Sequence, residues 1–131
     1  MKKIFNFIIL IILIISLTSC SPKYISSYRA LLLQRESKDN YCKATFNLLN
    51  GTLVFKVKNT KVSEGNISYY GNLEKGKVNV YYDTYGVKEY LFTVNGKEEV
   101  ESKGGYIEKG NYVYIIIEAT DAKGKIEIEF K

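Results

Sequence analysis

The side chains able to carry out chemistry here are few in type. The sequence has no His and no Trp, two Cys and twelve Tyr. Without His there is no Ser–His–Asp or Cys–His nucleophile system. Zinc sites of the HExxH or Cys2His2 kind are excluded too. The carboxylates offer little more. Glu98, Glu99 and Glu101 cluster after Asn95-Gly96, and Glu127 and Glu129 share a face with Lys125 and Lys131. Glycoside hydrolysis needs a carboxylate pair roughly 5–10 Å apart, but glutamates interleaved with lysines on a strand read as a solvated face. Asp83 and Asp121 each precede a Gly by three residues, which fits a turn-stabilising side chain better than a calcium ligand. No twelve-residue calcium loop and no phosphate-cradling Gly loop is present. The sequence therefore predicts no enzyme, no metal site and no cofactor.

Tyrosine is the unusual feature. Tyr69, Tyr70, Tyr81, Tyr82, Tyr85, Tyr90, Tyr106, Tyr112 and Tyr114 all fall on or beside alternating segments. Strand side chains alternate between faces. If Val78, Val80 and Tyr82 point inward, Tyr81 points out. If Val113, Ile115 and Ile117 point inward, Tyr112, Tyr114 and Ile116 cover the other face. An outward row of Tyr81, Tyr112 and Tyr114 would make a stacking platform for sugar rings, with phenol groups to bond hydroxyls. The plainer account is that Tyr packs well on half-buried sheets. These three are the candidate ligand-binding residues.

The N-terminus carries a different chemistry. Lys2 and Lys3 precede an apolar run over residues 4–17, broken by Asn6 and Ser16. Fourteen residues fall short of the roughly 20 that a helix needs to cross a bilayer, and suit the apolar region of an export signal. Leu17-Thr18-Ser19-Cys20 follows, then Ser21-Pro22. Residues 1–20 resemble the signal and lipobox of bacterial lipoproteins. The resemblance implies that Leu17, Thr18 and Ser19 are read by a signal peptidase. It also implies that Cys20 takes a diacylglyceryl thioether and becomes the first mature residue. The expected address is the cell membrane, lipid-anchored and exposed outside the cytoplasm, with cell-wall glycan or an envelope protein as partner. Two acyl chains hold far more firmly than one.

Loss of residues 1–19 removes two of the 19 basic residues and none of the 14 acidic ones, so the net charge falls from +5 to +3. The remaining lysines are scattered among acids, with no basic stripe of the kind that binds nucleic acid. Cys42 is then the other thiol, and reads as a small buried apolar side chain.

The elements that must position these groups are strands. Residues 20–42 read as a lipidated tether. Tyr24, Ile25, Tyr28, Leu31 and Leu32 follow helical spacing, which predicts one short helix from Ser26 or Ser27 to Arg35, although the apolar run 30–33 fits a strand equally. From Ala44 onward the period is two. Turn signals at Asn50-Gly51, Gly71-Asn72, residues 83–86, Asn95-Gly96 and residues 121–124 divide residues 43–131 into seven to nine short strands. Residues 112–119, apolar on both faces, read as a central strand covered on both sides. The fold class is all-β: a small antiparallel β-sandwich, with a partly open barrel as alternative. Its expected core is Phe46, Leu48, Leu53, Phe55, Val57, Ile67, Val78, Val80, Phe92, Val94, Val113, Ile115, Ile117, Ile126, Ile128 and Phe130. Segments 51–56, 73–80 and 124–129 resemble small exported sandwich domains of bacterial lipoproteins, a likeness that implies a fold and no activity.

Overall fold

Three strands far longer than the turn signals allow dominate the fold. A computed structural model describes residues 3, 4, 6, 23–60, 64–108, 110 and 112–131. Its strands are β1 (Ser27–Arg29), β2 (Leu32–Lys38), β3 (Tyr41–Lys58), β4 (Glu64–Asp83), β5 (Glu89–Asn95), β6 (Glu99–Glu108) and β7 (Tyr112–Phe130). All pairs are antiparallel. The lipobox residues Leu17, Thr18, Ser19 and Cys20 lie outside the described residues.

All seven strands belong to one hydrogen-bonded sheet, in which β3, β4 and β7 change pairing partners at a register break near the middle and so contribute to two layers, called here the first and second sheet. The first sheet runs β2, early β3, late β7, early β4, β6. The second runs β1, late β3, early β7, late β4, β5. Bulges at corners are the usual way for a strand to pass from one layer of a sandwich to the other. Here the register breaks between Phe46 and Gly51 on β3 and between Leu73 and Lys77 on β4. Together with Asp121 and Gly124 they form one crease, where Leu48, Gly51, Gly76, Asp121 and Gly124 all take positive φ. At Gly76 a Cβ would stand 2.3 Å from the Asp121 carbonyl oxygen, so only glycine lets the two chains pass there.

The layers close on a shared apolar interior. Tyr69 of the first sheet stacks on Phe92 of the second, with ring centroids 4.1 Å apart and planes 5° from parallel. Gly71 lies so close beneath β5 that a Cβ would meet Val94 Cγ2 at 2.5 Å. Each fully buried Val, Ile or Phe is worth about 1.5–3 kcal/mol, and the expected core is buried with one exception. Leu48 is 38% exposed and Leu49 is fully buried in its place. The left-handed residue at the crease shifts the alternation by one.

Two further expectations are corrected. The short helix over 26–35 is replaced by β1 and β2, so the strands begin at Ser27, well before residue 43. Helical spacing there is outweighed by the open edge of β3, whose backbone groups need partners. Leu33 packs against the core. Arg35 lies 4.6 Å from the Phe55 ring centroid, and its Nη2 donates to the Val54 carbonyl at 2.6 Å. The signals at Asn50-Gly51, Gly71-Asn72 and residues 121–124 prove to be points on continuous strands, not reversals.

Candidate functional site

Each sheet presents an outer face, and the two differ in kind. On the second sheet, Tyr112 and Tyr114 of β7 point away from the core, and Tyr81 of β4 pairs with Ile116 between the same two strands. The candidate tyrosines therefore share one face. Tyr90 joins them, edge-on to Tyr81 with centroids 6.0 Å apart. Lysines lie over these rings: Lys88 Nζ is 4.2 Å from the Tyr81 centroid and Lys56 Nζ is 4.6 Å from that of Tyr112.

The chain's own lead-in crosses this face. Residues 23–26 run from the end of β4 across β7 to the edge of β3. Tyr24 stands edge-on to Tyr114 with centroids 5.2 Å apart. The Val54 amide donates to Ser26 Oγ at 2.9 Å. The far end of this strap is fixed at Asp83, which is only 2% exposed. Its Oδ2 accepts from Lys23 Nζ at 2.8 Å and from the Tyr24 hydroxyl at 2.5 Å, and its Oδ1 accepts from the Gly86 amide at 2.6 Å. Lys23 also donates to the Gly86 carbonyl. Burial works against ionisation of Asp83, but the bonds from Lys23, Tyr24 and Gly86 outweigh it and hold the carboxyl below its ordinary range. Burial and the bond to Asp83 push the Tyr24 phenol up to about 12. Ile116, an outward residue on the stretch of β7 that the strap crosses, is 2% exposed.

The outer face of the first sheet is open. A shallow groove of about 450 Å³ runs along early β4, between β6 and late β7. Tyr70 is at its centre, opposite Glu101 of β6 on one side and Glu127 of β7 on the other. Lys103, Lys125, Lys131 and Glu129 are the other charged groups of its walls. Lys125 Nζ lies 5.0 Å from the Tyr70 ring centroid. The Tyr41 hydroxyl donates to Glu127 Oε1 at 3.1 Å, and burial with this bond pushes the Tyr41 phenol up to about 12. Carboxylates and ammoniums balance, so the groove has no strong field for a polyion. It offers an aromatic face ringed by acceptors and donors, a combination that suits a neutral polyhydroxyl molecule.

The sequence places Glu127, Glu129 and Lys125 on one face but does not single out Tyr70. Tyr70's neighbours come from strands more than thirty positions away, so only the sheet register brings the groove together. Cys42 is buried, and burial pushes its thiol upward. Among the described residues, no three or more Cys, Asp or Glu converge as a metal site.

The sequence matches no protein-family profile and no curated protein sequence. Its fold is similar to that of several solved structures. One is titled "CBM4 structure and function": 13% identity, 82% of this chain and 77% of that one covered, TM-score 0.44. Another is a mutant of CBM29-2, a family 29 carbohydrate-binding module, complexed with mannohexaose: 12% identity, 79% and 77% covered, TM-score 0.43. A third is a CBM29-2 mutant complexed with cellulohexaose: 12% identity, 79% and 76% covered, TM-score 0.43.

Proposed function

We propose that this chain is an exported bacterial lipoprotein, held at the outer side of the cell membrane by a diacylglyceryl group on Cys20. Its β-sandwich is a non-catalytic binding module for cell-wall glycan. The observation that carries the glycan reading is the groove around Tyr70, where one half-buried ring sits between Glu101 and Glu127 with lysines alongside. A sugar ring stacks its apolar face on Tyr70. The flanking carboxylates accept from its hydroxyls, and Lys103 and Lys125 donate. The anchor rests on Lys2, Lys3, the apolar run and Leu17-Thr18-Ser19-Cys20.

The face bearing Tyr81, Tyr112 and Tyr114 is the second candidate, because Tyr112 is 50% exposed. Tyr24 already occupies the place beside Tyr114, so a glycan there would have to displace the strap. Co-sedimentation with purified cell-wall glycan separates the two. Tyr70→Ala is expected to weaken binding about 10-fold or more, the worth of one lost aromatic contact, and Tyr112→Ala to leave it unchanged. The reverse pattern moves the site to the second sheet. Binding unaffected by both substitutions rejects both faces as the site, whereas no binding by the wild type rejects the glycan reading and leaves an envelope protein as partner. For the anchor, Cys20→Ala is expected to abolish fatty-acid labelling.

A further inference from the structure

We infer that the end of the sandwich carrying residues 84–88 is a membrane-contacting surface, with Tyr85 and Val87 seated among the lipid headgroups. The inference rests on the lipid anchor proposed at Cys20, and its geometry comes from the strap.

Lys23 is pinned at this end by its ion pair with Asp83 and its bond to Gly86. Cys20 is three positions earlier in the chain. Three residues reach at most about 11 Å even when fully extended. Acyl chains on Cys20 therefore hold this end, and no other, against the bilayer while the strap is docked.

The residues there suit that position. Tyr85 is 63% exposed, Val87 67% and Tyr106 47%, and the three lie together, where contiguous apolar surface marks a contact site. They border a shallow hollow of about 270 Å³ with Tyr82, Thr84 and Glu89. Tyr belongs at the boundary between lipid and water, its ring in the apolar zone and its hydroxyl in the polar one. Glu108 lies beside the Tyr85 hydroxyl, which leaves the ring as the free part. Charges nearby are mixed, with Lys23 and Lys88 against Glu89 and Glu108. The contact is thus interfacial and apolar, with little dependence on salt. A second exposed apolar group, Leu31, Leu32 and Leu48, lies at the crease. The stretch of β4 from Gly76 to Asp83, about 23 Å, separates it from the strap's pinned end, so it is out of the anchor's reach.

The chain has no Trp, so a single introduced Trp reports its own surroundings. Tyr85→Trp, Val87→Trp and Leu48→Trp each replace an exposed side chain. Full-length variants are produced in a bacterial host fed labelled fatty acid. They are then purified from membranes and reconstituted on phosphatidylethanolamine–phosphatidylglycerol vesicles containing brominated lipid. The expected result is a blue-shifted emission and loss of most intensity for the variants at 85 and 87, with the variant at 48 unquenched. Vesicle-bound, labelled protein with no quenching at 85 and 87 overturns the inference and leaves the anchor standing. Equal quenching at all three positions overturns it as well, because the domain then lies on its side. Protein that takes up no label and does not float with vesicles refutes the anchor, and the inference falls with it.

Discussion

Replacing Asp83 by Asn removes the fixed point of the strap with little change in shape. In the native chain its carboxylate accepts from Lys23, Tyr24 and the Gly86 amide, and it is almost wholly buried. The Asn side chain keeps one oxygen for Gly86 but cannot accept from both Lys23 and Tyr24. A hydrogen bond to a charged group is worth about 1.5–3 kcal/mol. The Lys23 side chain is 44% exposed, so its share is held to about 1 kcal/mol by solvent screening. Together, losing the Tyr24 bond and the Lys23 pair should cost about 2–3 kcal/mol. In a domain of this size that corresponds to a fall in Tm of about 10 °C. Urea denaturation of the chain from Ser21 measures the loss. A double-mutant cycle with Tyr24→Phe should return a coupling of about 1 kcal/mol. The pH dependence supplies a second check. The folded carboxyl titrates below its usual 3.8, so its stabilising effect is complete above that value and is lost as pH falls through the folded one. The gap between wild type and Asp83→Asn should therefore narrow as the medium is acidified below about pH 4. A variant within about 0.5 kcal/mol of wild type, with coupling below about 0.3 kcal/mol, would refute a docked strap.

Other expectations follow from the crease and the core. Gly76→Ala places a Cβ against two backbone oxygens at positive φ and should cost about 3 kcal/mol or more; a neutral result in urea denaturation would refute the crease geometry. Leu49→Ala should destabilise by about 2–5 kcal/mol, whereas Leu48→Ala should stay within about 0.5 kcal/mol, and the opposite order would restore the uninterrupted alternation. Cys42 should react with a thiol reagent only on unfolding, since its thiol is buried and its pKa raised, as mass spectrometry of native and urea-treated protein would reveal.

Strand content and most of the core were legible because one buried face imposes a period of two. Phe55, Val80, Ile117 and Ile128 are inside as alternation requires. On β7 the expected cover on both sides holds at Ile116 but not at Tyr112, which is 50% exposed, because the strap that crosses this face is not legible from the local pattern. Turn chemistry was only half legible. Asn50-Gly51 and residues 121–124 mark where the backbone leaves the extended path. Whether the chain then reverses or passes into the second layer depends on strands far away in sequence. The edge segment 27–38 was misread because its periodicity competes with an unpaired neighbour that only the folded sheet supplies. Tyr70 was hidden in the same way: its partners Glu101 and Glu127 come from other strands.

The crease also governs how the domain bears tension. β3, β4 and β7 run through both layers, so neither sheet can part from the other without tearing these three. The strap and β1 carry no such burden. A pull on the N-terminal end meets first the bonds of Lys23, Tyr24 and Ser26 and then the three-residue ladder of β1. Both peel away before the long ladder between β3 and β7 is loaded. Residues 23–31 released in this way leave a tether of about 30 Å, on which the sandwich can turn until the crease, and not the end at Asp83, faces the pull. The sandwich stays folded while this leash is drawn out, and the leash rewinds onto Tyr114 and Asp83 when the load is removed.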